Sequence, residues 1–324
     1  MGKIKLFLKE NVITGKLYAK LKNVKDMRIY ERHFNYSGRY FDRSKGREKL
    51  CIILAGYKEF LFDDVFSRIL KYKPEDIDVC IVSSGKHSDI LADLCETNGW
   101  SYLSTEENNV GLVQNIAIRM HPEARYIYKL DEDIFICEAF FERMFQAYLH
   151  AREGDYYPGV IAPLLLINGY ASLRILQKTN LRNEYESRFG PLKHAAGIEQ
   201  QIENNEKVAR FMWGDEDIIP SIDVLNRQFG RDPLDEKPCP IRFSIGAILF
   251  ERSIWEKMGF FDVELNDKKM MGKDEVKLCR YCLLESRPLM VSENIVVGHF
   301  SFGKQTEGMK RFYNEHPEKF RIVE

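Results

Sequence analysis

The sequence predicts an α/β protein of three layers, in which helices cover both faces of a mostly parallel sheet. Two observations predict this fold. Short apolar runs alternate with amphipathic helical patterns from residue 50 onward, and the runs end in turns that contain Gly, Ser or Asp. Strands and helices that alternate at this spacing form crossover units on a parallel sheet. With 324 residues, of which 44% are apolar and 30% charged, the chain has the composition of a globular protein with one large domain or two ordinary ones.

The first half of the chain contains four pairs of a strand and a helix. The predicted strands cover residues 50–55, 77–82, 100–103 and 124–130, and the helices after them begin near residues 60, 90, 112 and 139. The fourth strand runs directly into Asp131-Glu132-Asp133. Because the carboxyl ends of parallel strands gather at one edge of a sheet, this acidic triplet should lie where such sheets bind ligands.

The second half departs from this regular alternation. After a strand at residues 160–167 comes a polar helical stretch, and we interpret residues 165–240 as an insertion that shapes one side of the binding site. Strand, turn and helix return at residues 241–259, and a last strand at 293–300 completes the sheet. The predicted organisation is a basic N-terminal extension (residues 1–49), a core domain (50–304) that contains the insertion, and a helical tail (305–324).

Charge is distributed unevenly along a chain whose net charge is −1. The first 50 residues hold 14 Lys and Arg against 5 Asp and Glu, a net charge of +9, so the remaining residues carry −10. A basic first segment that also contains Leu and Phe indicates an arm that contacts an anionic lipid surface. The alternative is an ordinary solvated basic face. The net charge near zero gives no general attraction to nucleic acid, so we expect no nucleic-acid partner.

The sequence predicts a cytoplasmic protein. No stretch approaches the ~18 consecutive apolar residues that a membrane span requires. The opening residues, MGKIKLFLKE, carry charges too often for a signal peptide. If the basic arm binds lipid, the protein would also be peripheral at the inner face of a membrane.

Two acidic motifs have the spacing of a divalent-cation site. Asp131 and Asp133 stand two residues apart at the end of a buried strand, so both carboxylates can face one ion from a fixed backbone. An acidic turn that caps the next helix is the alternative. Asp215-Glu216-Asp217 has the same spacing without an apolar β-rich run before it, and we interpret it as the cap of a helix that begins near Ile218.

Five segments follow one another in an order typical of a known family. They are ILAGYKEF (53–60), Asn109-Val110-Gly111 with Asn115, Leu130-Asp131-Glu132-Asp133, residues 243–250 with Gly259-Phe260-Phe261-Asp262, and Gly272-Lys273-Asp274-Glu275. Their order resembles that of the family 2 glycosyltransferases and their relatives with the GT-A fold. The resemblance covers residues 50–150 and 240–303, about half of the chain.

The resemblance implies a GT-A fold, a three-layer sandwich that binds a nucleotide-diphospho-sugar, and a role for each matching residue. Asp133 would bind Mn²⁺ or Mg²⁺, and Asp131 would bind the metal or the nucleotide ribose. Asp274 would accept the proton of the acceptor hydroxyl, with Glu275 as the neighbouring alternative base; a mere helix cap is the other interpretation of Asp274. The residues that would contact the donor nucleotide are Ala55, Gly56, Tyr57, Asn109, Gly111 and Asn115.

His299 ends the last apolar strand. A lone histidine in such a place is usually a core or turn residue. The resemblance implies instead that His299 is a metal ligand, and imidazole suits Mn²⁺ better than Mg²⁺.

Two positions depart from the family pattern. Ser83-Ser84 stands where the family often has an acid that recognises uracil, so the nucleotide base stays open. Lys273 replaces the acid before Asp274 and would pair with a phosphate or face water.

These features predict an enzyme that transfers a sugar from a nucleotide-sugar donor to a glycan or lipid-linked acceptor, with inversion at the anomeric carbon. Such a reaction belongs to glycan or polysaccharide synthesis. Two alternatives stay open: a retaining glycosyltransferase of the same fold, and a noncatalytic protein that binds a nucleotide sugar.

Overall fold

A computed structural model describes residues 30–195, 201–263, 272–300 and 303–323, together with Met27. In this part of the chain ten strands form one mixed sheet with helices packed against it, which confirms the α/β prediction. The predicted lipid-binding arm falls largely on residues 1–29, which lie, apart from Met27, outside the described residues.

The order of the strands across the sheet is β1-β4-β3-β2-β5-β9-β7-β10-β6, and β8 pairs with β10 beside this path. The strands are β1 (Gly38–Phe41), β2 (Lys49–Leu54), β3 (Ile77–Ser83), β4 (Ser101–Thr105), β5 (Tyr126–Asp131), β6 (Ile134–Phe135), β7 (Val160–Leu165), β8 (Glu236–Pro238), β9 (Ala247–Glu251) and β10 (Leu289–His299). Strands β4, β3, β2 and β5 are parallel, β9 runs antiparallel between β5 and β7, and β7 is parallel to β10. Six of the ten described strands therefore point the same way, and their carboxyl ends share one edge.

The described helices of eight or more residues are α1 (Phe62–Tyr72), α2 (Asp89–Asn98), α3 (Val110–Met120), α4 (Phe140–Glu153), α5 (Ala171–Lys178), α6 (Arg182–Phe189), α9 (Ile222–Phe229), α11 (Lys273–Leu284) and α12 (Thr306–Glu315). Three shorter ones are α7 (Gln201–Asn204), α8 (Glu206–Met212) and α10 (Arg252–Lys257).

Local sequence explains why these segments form these elements. All seven residues of β3 are buried, as expected of a strand that lies inside a parallel sheet. In α1, Phe62, Val65, Phe66 and Ile69 are buried at helical spacing, so a single apolar face packs on the core. Helix α2 ends at Gly99, whose φ of 65° suits the left-handed cap that terminates many helices.

The insertion contains helices α5 to α9, and one expectation about it is wrong. Helix α9 begins at Ile222, where the Ser221 hydroxyl accepts the Val224 N–H at 3.4 Å, and not near Ile218. Asp215-Glu216-Asp217 forms a separate 3₁₀ turn. A serine hydroxyl at the cap position satisfies a helix N–H directly, so the acidic run is not needed as a cap.

Both ends of the described chain pack on the sheet. Strand β1, within the segment predicted as an extension, pairs antiparallel with β4. In the predicted tail, Phe312 of α12 and Phe320 after it are fully buried. Within the described residues, no helix has the length and apolar character needed to cross a bilayer.

Candidate active site

The edge where the parallel strands end contains a cavity of about 460 Å³. The register of β2 and β5 places Leu54 beside Asp131, so the loop after β2 and the acidic triplet after β5 meet there. The predicted site residues that line this cavity are Ala55, Tyr57, Asp131, Asp133, Asp274 and His299. Topology thus brings together residues separated by more than 200 positions in the sequence.

Asp133 and His299 approach each other because a short strand pairs with a long one. Strand β6 pairs with the end of β10, with Ile134 opposite His299. The Phe300 N–H donates to the Asp133 carbonyl at 3.0 Å, and His299 Nε2 lies 3.7 Å from Asp133 Oδ2. The other ring nitrogen, Nδ1, lies 2.8 Å from the Ile167 carbonyl. A proton on Nδ1 would be donated to that carbonyl, which leaves Nε2 with its lone pair directed at the Asp133 side.

Glu132 points away from its acidic neighbours and fixes the loop after β2. Its buried carboxylate accepts the N–H of Gly56 at 2.7 Å and that of Tyr57 at 2.9 Å. Gly56 has a φ of 142°, which disfavours a side chain at this turn. Burial raises the pKa of Glu132, while the backbone N–H groups oppose the rise. The middle acid of the triplet is therefore a structural anchor for the residues predicted to contact the nucleotide.

Two lysines accompany the acids of the triplet. Lys129 is buried within β5, and its Nζ lies 2.5 Å from Asp131 Oδ1 and donates to the Ile245 carbonyl at 2.8 Å. Lys58 forms an ion pair with Asp133. Burial raises the pKa of Asp131, the charges of Asp133 and Asp274 raise it further, and Lys129 opposes them. The cavity therefore holds ammonium groups and carboxylates side by side, a combination that suits phosphate groups together with a cation.

Asp274 and Glu275 lie in the first turn of α11 and both face the cavity. The helix begins after Gly272 without a side-chain cap, so Asp274 does not act as one. Its Oδ2 instead accepts the Gln114 amide N–H at 3.0 Å. Glu275 pairs with Arg242, with 2.5 Å between Oε1 and Nε. Burial, reinforced by the charge of Asp274, raises the pKa of Glu275 to about 7, although Arg242 and Lys129 oppose this.

Asn109, Gly111 and Asn115 lie outside the residues that line the cavity. Asn109 caps α3 by accepting the Leu112 N–H, and its amide donates to the Val263 carbonyl at 2.9 Å. A Cβ on Gly111 would come within 2.2 Å of the Asp262 carbonyl oxygen. All three residues contact residues 261–263, in the segment that follows α10. Packing alone accounts for these residue types at these positions.

Asn115 is the most fully engaged of the three. Its Oδ1 accepts the Trp255 indole N–H and the Phe261 N–H, each at 2.9 Å, and its Nδ2 donates to the Phe261 carbonyl at 2.9 Å. Its side chain is completely buried.

The cavity can bind a divalent cation only if a bound phosphate group supplies some of the metal ligands. Among the described residues, no group of three or more His, Cys, Asp and Glu side chains is arranged to hold a metal ion. Asp133 and His299 supply one oxygen and one nitrogen 3.7 Å apart, with Asp131 on the same cavity wall. Mg²⁺ at phosphate-transfer sites is often held by one or two carboxylates, with phosphate oxygens and water completing the coordination. The donor set fits a cation that arrives with a diphosphate.

The other acidic run lies elsewhere. Each of its carboxylates has a basic partner: Asp215 pairs with Arg210, Glu216 with Arg188 and Asp217 with Lys319. None of the three acids lines the cavity at the sheet edge. Ordinary ion pairs explain this motif.

Several cavity residues were not predicted from the sequence: Lys58, Lys129 and Arg242, and Glu132 in its anchoring role. One signal was present, since a lysine inside an otherwise apolar strand needs a partner when buried. For Arg242, whose partner lies 33 positions away, the sequence offers no local signal.

Neither a protein-family model nor a curated protein sequence matches this chain. Among solved structures, the chain is similar to the mannosyltransferase PcManGT from Pyrobaculum calidifontis in complex with GDP-Man and Mn²⁺, with 12% identity and a TM-score of 0.45. The match covers 92% of this chain and 72% of that one. Both the identity and the TM-score are too low for the likeness to identify a function, which has to follow from the cavity itself.

Proposed function

We propose that this chain is a metal-dependent glycosyltransferase with the GT-A fold, which transfers a sugar from a nucleotide diphosphate to an acceptor hydroxyl with inversion. One observation carries the proposal. A single cavity at the carboxyl edge of the sheet contains Asp131, Asp133 and His299 on one side and the carboxylates of Asp274 and Glu275 on another. A diphosphate leaving group and a nucleophilic hydroxyl require these two kinds of group within one ligand length.

The residues of the cavity have separate tasks in this reaction. The loop that Glu132 anchors would receive the nucleotide against Ala55 and Tyr57. Lys58 and Lys129 would offset the charge of the diphosphate, since ammonium groups interact strongly with phosphate in a partly buried site. Asp133 and His299 would hold the cation, which when bound would supply Lewis-acid stabilisation of the leaving group.

Asp274 would act as the general base. In a single displacement the acceptor oxygen bonds to the anomeric carbon as the bond to the diphosphate breaks, and the hydroxyl proton passes to the base. The hydrogen bond from Gln114 fixes the carboxylate without neutralising it. Glu275 is the neighbouring alternative base, and its Oε1 is already paired with Arg242.

The test combines donor binding with transfer. A panel of nucleotide sugars is screened by thermal shift with Mn²⁺, where a bound donor raises the Tm by mass action. We expect Asp133→Asn to abolish the Mn²⁺-dependent shift. Asp215→Asn is the matched control, because Asp215 belongs to the acidic run outside the cavity, and it should keep the full shift.

The catalytic role of Asp274 is tested with the nucleotide sugar that binds in that screen. We expect Asp274→Asn to keep the donor shift and to lose at least about 100-fold in the rate of donor hydrolysis or transfer. If wild type binds the donor but neither hydrolyses nor transfers it, the chain is a noncatalytic binding protein. A product that retains the donor's anomeric configuration would make it a retaining enzyme.

A further inference from the structure

A second cavity, of about 570 Å³, lies next to the candidate active site and is lined mainly by apolar side chains. We call it the apolar groove. It runs along α11 and the segment after β8, and its lining includes Tyr156, Ile241, Val276, Cys279, Leu283 and Leu284. Among the described residues that line it, the charged ones are Arg242 and Arg280.

The apolar groove adjoins the candidate active site. Arg242 lines both cavities. Helix α11 presents Asp274 to the active site from its first turn and Leu283 to the apolar groove from its last. At 1.5 Å per residue these two positions are separated by about 14 Å along the helix axis. The two positions lie about two and a half turns apart, on opposite faces of α11, and Arg242 lies between the cavities because it lines both and pairs with Glu275. A ligand anchored at Arg242 could therefore direct a polar end toward Asp274 and an apolar chain into the apolar groove.

The rim of the apolar groove holds strongly exposed apolar side chains. Of the large apolar side chains in the described residues, the three with the greatest exposed fractions are Leu283 (76%), Tyr157 (75%) and Leu284 (66%). Leu283 and Leu284 line the groove, and Tyr157 follows Tyr156, which does so too. Isolated exposed apolar residues are ordinary, but a contiguous group next to a cavity marks a binding surface.

The charges specify the chemistry of the head group. The Arg242 guanidinium is about half exposed and contacts Glu275 through Nε. A guanidinium has five N–H donors in a fork that matches phosphate, so Arg242 can hold Glu275 and a phosphate at the same time. Both described cations of the groove favour an anionic ligand.

We propose that the apolar groove binds the hydrocarbon chain of an amphiphilic acceptor, whose phosphate head group lies at Arg242 next to Asp274. This inference rests on the proposed function and specifies its acceptor as a lipid-linked sugar phosphate, whose sugar hydroxyl would lie at Asp274. Only the phosphate and the apolar chain are recognised in this way.

The test measures binding of dodecyl phosphate by titration calorimetry, below its critical micelle concentration and without donor. We expect one molecule per chain in wild type, at least fivefold weaker binding in the double variant Leu283→Ser/Leu284→Ser, and at least tenfold weaker binding of butyl phosphate. The matched control is Leu70→Ser/Ile90→Ser, which removes two exposed apolar side chains from α1 and α2. This control should bind as wild type does. Arg242→Gln should weaken dodecyl phosphate binding at least fivefold.

Three results would overturn the inference. Equal binding by wild type and the Leu283/Leu284 variant would remove the apolar groove as the site. Binding to phosphatidylglycerol vesicles that needs both leucines, with no binding of monomeric dodecyl phosphate, would make the groove a membrane contact. A dimer in sedimentation velocity that the leucine variant dissociates would make its occupant a second copy of the chain. None of these readouts uses the nucleotide sugar, so failure here is distinguishable from failure of donor binding.

Discussion

Asp274 and Glu275 are adjacent carboxylates that the fold places in different environments. The Asp274 carboxylate accepts a hydrogen bond from Gln114. Glu275 is paired with Arg242, yet burial dominates and raises its pKa to about 7. Because a raised pKa means that folding favours the protonated form, Glu275 couples the stability of the protein to pH near neutrality.

This coupling predicts how the difference in unfolding free energy between wild type and Glu275→Gln changes with pH. The folded pKa of about 7 exceeds the ordinary value of 4.5, so the stabilising effect of Glu275 is complete below pH 4.5 and is lost as the pH rises through 7. Between pH 4.5 and pH 8 the unfolding free energy of wild type should fall relative to that of Glu275→Gln by on the order of 3 kcal/mol. Urea unfolding of both proteins across this range measures the difference. Glu285→Gln, at the other end of α11, serves as control, and wild-type and Glu275→Gln curves that stay parallel would contradict the prediction.

At the scale of elements, α3 acts as a brace for the side of the cavity that Asp274 lines. Its Asn109 and Asn115 amides bind backbone groups of residues 261–263, and its Gln114 contacts Asp274. Gly111 lets the helix approach the same segment closely. A motif predicted from the sequence to contact the donor thus contacts residues 261–263 and Asp274 within the protein.

Because of these contacts, we expect Asn115→Leu to lower the free energy of unfolding strongly. This variant leaves the Trp255 indole N–H and the Phe261 N–H and carbonyl without partners in a buried site. Each unpaired buried group costs about 1–3 kcal/mol, so the unfolding free energy should fall by at least about 3 kcal/mol. Asn98→Leu is the control, since the Asn98 amide donates to the Leu94 carbonyl at 2.8 Å within a single helix, and this variant should lose about 1 kcal/mol. Urea denaturation gives both values, and equal losses would refute the role of Asn115.

At the scale of the whole molecule, the Arg68 side chain joins the two ends of the fold. This fully buried guanidinium on α1 forms two hydrogen bonds with Asp223 of α9, at 2.8 and 3.0 Å. It also donates to the carbonyls of Phe320 and Arg321, 252 and 253 positions away. The C-terminal segment is therefore held to α9 and to α1 by one side chain.

Removing one partner of this pair should destabilise the whole chain. Arg68→Met leaves Asp223 as an uncompensated buried charge, and we expect a loss of about 3–5 kcal/mol in the free energy of unfolding. The double variant Arg68→Met/Asp223→Leu should recover part of that loss, because no buried charge remains. Calorimetric melting of the three proteins tests this. A double variant less stable than Arg68→Met would show that the pair itself, and not the unpaired acid, determines the cost.

How well the sequence predicts a site residue depends on how far along the chain its contact partners lie. Asp131 and Asp133 follow an apolar strand, and that pattern predicted their place at the edge of the sheet. Alternation along the chain is consistent with the opposite direction of Glu132, but the sequence does not identify the Gly56 and Tyr57 N–H groups as its partners, 76 and 75 positions away. The predicted start of α9 lies four residues before the observed one, because Ser221 caps the helix and the acidic run does not.

The sequence by itself determined the α/β class and the strand that delivers Asp131 and Asp133 to the edge of the sheet, because period and turn residues are local properties of the chain. Only the tertiary structure decided that His299 meets Asp133, that Arg242 pairs with Glu275 and that Asn115 binds the backbone of Phe261. These contacts depend on how distant strands register and how side chains pack, and no local pattern encodes that choice.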